Sequence, residues 1–239
     1  MNGSEKTARR GFLGRVFAAA AAATMPIGMT RSVEAQAPAA GADDWIKEVK
    51  GTHRCLFDFP QHKNGFPLLH VLNYINTYNE GYKAAPGSVG AVGTFYSLGT
   101  QSSIPLGFND SIWAKYKLGE YLGLKDASGQ FYTRNVFLKP TPQDAHLLFQ
   151  ALQTPNIAGL AGAMPALGIE SLQKMGAKFI LCNNALGGWI LELEARGKGK
   201  APDIEKDLRA NFLPGVTVVP AMVIAIEKAQ AAGIRYNRQ

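Results

Sequence analysis

Two cysteines and four histidines are all that 239 residues contain of the usual metal and thiol ligands. Cys55 and Cys182 lie far apart and no CxxC or HxxxH spacing occurs, which excludes a disulfide-stapled scaffold and gives no support to a metal site. Neither GxGxxG nor GxxxxGK[ST] is present, so a nucleotide cofactor has no fingerprint, and the sequence names no other cofactor. The charge excess is mild: 25 lysines and arginines stand against 18 acidic residues, with no basic stripe, so nucleic acid has no footprint here.

Long apolar runs are also missing, and the longest lies near the start. MNGSEKTARRGFLGR is basic and polar, VFAAAAAATMPIGM is apolar over about 14 residues, and VEAQA offers an Ala35-x-Ala37 cleavage pattern. The apolar part falls short of the roughly 20 residues a membrane span needs. The three parts read as a signal peptide over residues 1–37, cut near Ala37. Arg9-Arg10 followed by Gly11, Phe12 and Leu13 resembles the twin-arginine address, which makes the translocase of that route a partner and the periplasm the destination. Removing Lys6, Arg9, Arg10, Arg15 and Arg31 with Glu5 and Glu34 lowers the net charge from +7 to +4.

Residues 38–44, PAAGADD, have the composition of a flexible leader, and residues 45–239 suffice for one domain. HRCLFDF (53–59), SVGAVGTFYS (88–97), AKFILC (177–182) and VTVVP (216–220) read as buried strands. Between them, GFPLLHVLNYINTYNEGYKA, GGWILELEARGKG and AMVIAIEKAQAAG read as helices, the first with Leu68, Leu69, Leu72, Ile75 and Tyr78 on one face, the last with Gly233 at its C′ position. Asp110 suits the cap of a helix over SIWAKYKLGEYLGL, and residues 98–165 form a long excursion. Alternation of strand and helix predicts a layered α/β domain, a mainly parallel sheet with helices on both faces.

In such sheets the working residues lie beyond the carboxyl ends of the strands. That rule selects Asp58 and His62 after the first strand, Tyr96 after the second, Cys182, Asn183 and Asn184 after the third, and Pro220 after the fourth. A thiol facing a helix N-terminus is favoured as thiolate by the helix dipole and its free N–H groups, and the Asn183 and Asn184 amides would add donors. The same residue reads equally as a buried apolar plug, or as half of a disulfide with Cys55. Asp58, His62, Tyr96 and Pro220 would edge the same cleft. The aromatic residues from Phe95 to Tyr132 would form core or a subunit interface, or line a pocket beneath the long loop.

GAKFILCNNA, followed about 35 residues later by PGVTVVPAMVIAIEKAQAAGIRY, resembles the carboxyl half of the DsrE-like family of α/β proteins of sulfur relay. The resemblance implies a flavodoxin-like fold, a homo-oligomer, and transient persulfide carriage on Cys182 with a thiol or sulfur-carrier partner. The competing expectation is a non-catalytic periplasmic protein that holds a small ligand in the same cleft, roofed by residues 98–140.

Overall fold

The computed structural model describes residues 41–239, so the segment expected to be a signal peptide and the first part of the expected leader lie outside the described residues. The order is α1 (Asp44–Glu48), β1 (His53–Asp58), α2 (Phe66–Asn76), β2 (Val89–Phe95), α3 (Asp110–Tyr116) and α4 (Leu118–Leu122). It continues with α5 (Ala145–Leu152), α6 (Ala158–Ala163), α7 (Ile169–Lys174), β3 (Lys178–Cys182) and α8 (Asn183–Ala195). The chain closes with α9 (Ala201–Ala210), β4 (Val216–Val219), α10 (Met222–Ala231) and β5 (Arg235–Arg238).

All five strands are parallel, in the spatial order β4-β3-β2-β1-β5. The fold is a layered, flavodoxin-like α/β sheet. The strands run in one direction from β1 to β4, and the chain then returns across the sheet to β5. Parallel crossovers are right-handed, so this reversal sends α10 to the face opposite α2 and α8.

The pleat divides the strand residues between two cores. Cys55, Phe57, Ala91, Phe95, Phe179 and Leu181 point to the first face, where α2, α8 and the whole 98–165 excursion pack. Leu56, Val92, Ile180 and Cys182 point to the second, covered by Met222, Ala225 and Ala229 of α10 with Trp45 of α1. Close packing on the first face relies on Gly93, where a Cβ would come within 2.6 Å of the Phe179 ring. Its absence lets Phe179 stack on Phe95 at 5.2 Å between centroids.

Several local expectations change. Asn109, not Asp110, caps α3, its Oδ1 accepting from the N–H groups of Ser111 and Ile112, while Asp110 accepts from the Asn135 N–H. The helix expected through residue 124 breaks at Lys117, φ 53°, because the turned second half lays Gly119 on the Tyr132 main chain, where a Cβ would meet a carbonyl oxygen at 2.1 Å. Helix α8 begins directly after Cys182, with no loop. Tyr78 leaves the buried stripe and stacks on His53 instead. The last strand, β5, is additional to the four expected.

Two alanine substitutions check this packing. Gly93→Ala should lower stability by about 1–3 kcal/mol, since the added methyl overlaps an immobile ring. Gly187→Ala, in α8 with nothing near the new methyl, should raise it by about 0.5–1 kcal/mol. Urea titrations of the two variants read both signs.

Candidate functional site

Because β3 feeds α8 on one face and β4 feeds α10 on the other, the sheet's switch point lies between the carboxyl ends of β3 and β4. Cys182 occupies it. Its Sγ accepts hydrogen bonds from the Ala185 N–H of α8 at 3.4 Å and from the Met222 N–H of α10 at 3.3 Å. The Asn184 N–H donates to the Pro220 carbonyl at 3.2 Å, fastening the two helix starts together. Cys182 thus takes the N-cap position of α8 that serine or aspartate usually fills, and its sulfur also accepts from the first residue of α10, whose own N-cap, Ala221, offers no side-chain acceptor. Two helix N-termini each present one main-chain N–H group to this sulfur.

The thiol is 5 % exposed and packs with Ile180, Val219 and Met222, with Tyr96 against the same cluster. Asp58, two strands away, projects from the same face of the sheet. Its carboxylate accepts from Tyr236 Oη at 2.7 Å and Thr94 Oγ1 at 3.3 Å. Burial and then the neighbouring Asp58 push the Tyr96 phenol up, and the same two causes raise Tyr236. A phenol that resists ionisation remains a hydrogen-bond donor at every physiological pH. Helix α10 starts beside β3 and runs back toward the amino end of the sheet, where Arg54 reaches the Ala232 carbonyl. The Asp58, Tyr96 and Tyr236 corner therefore lies at the end of the sheet away from the end of α10.

The other expected site residues separate from this corner. Asn183 Oδ1 accepts from Arg209 of α9, which commits that amide away from the thiol, and Asn184 is exposed. The support expected from their side chains is supplied by main chain. Pro220 is exposed and contributes its carbonyl alone. His62 is a buried staple of the first-face loops: Nδ1 accepts from the Asn64 N–H and Nε2 faces the Thr100 carbonyl at 3.3 Å.

Cys55 cannot bridge to Cys182. It projects from the first face near the start of β1, Cys182 from the second at the end of β3, and both are free. Burial pushes the Cys55 thiol up to about 11, which leaves it unreactive. The excursion does not roof the Cys182 corner either. Phe108, Trp113, Tyr116, Tyr121 and Tyr132 are core of the first face, and a cavity beside Phe137 and Leu148 is only about 20 Å³. Among the described residues no three His, Cys, Asp or Glu side chains gather as a metal would require.

Sequence reading missed Tyr236 with its strand; the alternation in IRYNR after Gly233 was the available signal. The donors of Ala185 and Met222 are main-chain groups, which no side-chain motif reports. The chain matches no protein-family model, no curated protein and no solved structure.

His62 carries a pH dependence. Burial lowers it to about 4 from 6.5, so between these values the unfolded chain binds a proton that the folded one refuses. Stability should therefore fall as pH drops from about 6.5 toward 4, by on the order of 3 kcal/mol from this group. Comparing pH-dependent urea midpoints of the wild type and His62→Gln checks it: the variant should lose that part of the slope.

Proposed function

We propose that the protein is an exported, periplasmic DsrE-like protein that carries sulfur on Cys182 as a persulfide. The observation behind this reading is the convergence of the Ala185 and Met222 N–H groups on one sulfur atom. The sequence resemblance over residues 176–236 supports the family, and the basic, apolar and small-residue segments of residues 1–37 support twin-arginine export. Val223 on α10, 71 % exposed, and Leu191 on α8, 61 % exposed, give apolar surface suited to a homo-oligomer.

The chemistry needs no external oxidant. The Cys182 thiolate attacks the outer sulfur of a donor persulfide, the donor's S–S bond breaks, and the donor leaves as a thiolate that takes up a proton. An acceptor thiolate then attacks the outer sulfur of the Cys182 persulfide, and Cys182 departs as the thiolate held by the two N–H groups. The same donors thus serve a nucleophile in the first half and a leaving group in the second. Asp58 with Tyr96 and Tyr236 would provide a polar edge for the approaching carrier.

The second reading, a non-catalytic binder of a small ligand at this corner, is favoured by the low exposure of Cys182. Alkylation separates the two. Without denaturant, Cys182 should react with iodoacetamide at neutral pH faster than free cysteine, and a persulfide donor should add the mass of one sulfur to it. Cys182→Ser should abolish both, and Cys55→Ala neither. A Cys182 that stays unmodified until the protein unfolds would sink the sulfur reading and leave the binder.

A further inference from the structure

The strongest feature outside the Cys182 corner is a groove on the first face, between α2 and the edge strand β5. Phe66, His70, Tyr74, Tyr78 and Tyr82 recur at every fourth residue along α2 and the π-helical turn Thr77–Gly81 that extends it. Their rings form a ladder of two touching groups: Phe66 meets His70 at 4.5 Å, while Tyr74 meets Tyr78 at 5.0 Å and Tyr78 meets Tyr82 at 5.5 Å between centroids. The space beside Phe66, His70, Tyr74 and Tyr78 is about 500 Å³, with Asn237 and Arg238 on its far side and the Gln239 side chain reaching across to hydrogen-bond His70 Nδ1. Lys63 and Arg238 line it, and no acidic side chain does.

Strand β5 pairs only with β1 among the described residues. The Gln239 N–H donates to the Asp58 carbonyl at 3.0 Å, so by the alternation of a parallel ladder Gln239 and Asn237 turn their main-chain groups to β1. Tyr236 and Arg238 then turn theirs outward, ready for another strand. We infer that this edge and groove bind an extended acidic peptide segment of a partner protein, added as a sixth strand. This lies beyond the sulfur reading and does not rest on it.

Geometry and charge both select that occupant. Rings four residues apart on a helix are spaced about 6 Å along its axis. Alternate side chains of an extended strand are spaced about 6.6 Å. Helix α2 runs antiparallel to the strands, so an added strand would offer a side chain to each successive gap in the ladder. Main-chain pairing at the edge would give affinity and the gaps would give selection, as in other strand-addition complexes. A second copy of this chain is a poor occupant. Pairing RYNR with itself sets arginine beside arginine in either direction, and like charges directly opposite are destabilising. Acidic side chains on the groove side of the added strand would instead meet Lys63 and Arg235, and those on its other side would meet Arg238.

The test uses the full chain and a labelled peptide of alternating glutamate and leucine, with its lysine counterpart as control, followed by fluorescence anisotropy. The glutamate peptide should bind and the lysine peptide should not. Arg235→Glu combined with Arg238→Glu should weaken the first at least tenfold and admit the second, with an unchanged circular dichroism spectrum showing that the variant folds. N-methylation of alternate peptide residues distinguishes strand addition from loose charge attraction: one parity should abolish binding and the other should be tolerated. Equal tolerance of both parities, no binding by the glutamate peptide, or full displacement by a small aromatic carboxylate would each overturn the proposal. Cys182→Ser should leave the affinity unchanged, which keeps this result separate from the fate of the sulfur reading.

Discussion

The return of the chain across a parallel sheet is the constraint on which the site depends. A right-handed crossover that reverses direction must change faces, so the helices after β3 and β4 leave the sheet on opposite sides. Their N-termini are consequently adjacent, and each brings main-chain N–H groups that have no partner within its own helix. Some acceptor must occupy the gap between them. Here that acceptor is the sulfur of Cys182, held at 3.4 and 3.3 Å by one donor from each helix. A sulfur atom is a weak acceptor when protonated and a much better one when ionised.

The two faces of the sheet divide the labour. The excursion of residues 98–165 thickens the first face into an aromatic core around Phe108, Trp113 and Trp189, where the 5.6 Å stack of Phe108 on Trp189 joins the excursion to α8. That mass anchors α8 from behind, and so fixes the position of the Ala185 N–H. The second face is thin, with α10 and the short α1 as its cover, and the strand ends beyond α10 keep their polar groups. Asp58, Thr94 and Tyr236 satisfy one another there through hydroxyl-to-carboxylate hydrogen bonds, which is how a carboxyl group only 3 % exposed is satisfied with no ion pair among the described residues.

Much of the fold was legible because parallel strands buried on both faces read as continuous apolar runs, and HRCLFD, VGAVGTF and KFILC do so. Strand β5 was harder to read, since RYNR is largely polar, exposed and at an edge, and the short alternation in IRYNR was its one signal. Cys182 was legible as a strand-end thiol. Its two donors were not, because which helices converge on a residue follows from strand order, and strand order is a property of tertiary contacts. His62 shows the opposite failure: a strand-end position suggested a cleft, while the loop carrying Thr100 and Gln101 folds over it and faces Nε2, and Nδ1 is taken by the Asn64 N–H of its own loop. Asn183 fails in the same way, drawn off by Arg209 of a helix that sequence alone did not bring near.

The edge at β5 and the corner at Cys182 are connected through Tyr236. Its hydroxyl donates to Asp58 on the second face, while its main chain faces outward from the sheet edge beside the aromatic groove. Pairing a further strand there would restrain β5, and with it the phenol that holds the Asp58 carboxylate in place. The coupling runs through one short strand whose pairing with β1 spans only Cys55–Asp58. Such an edge strand, with every side chain exposed, is drawn from the least stable part of a parallel sheet. A partner that orders it would therefore act on the polar side of the Cys182 corner without touching the sulfur.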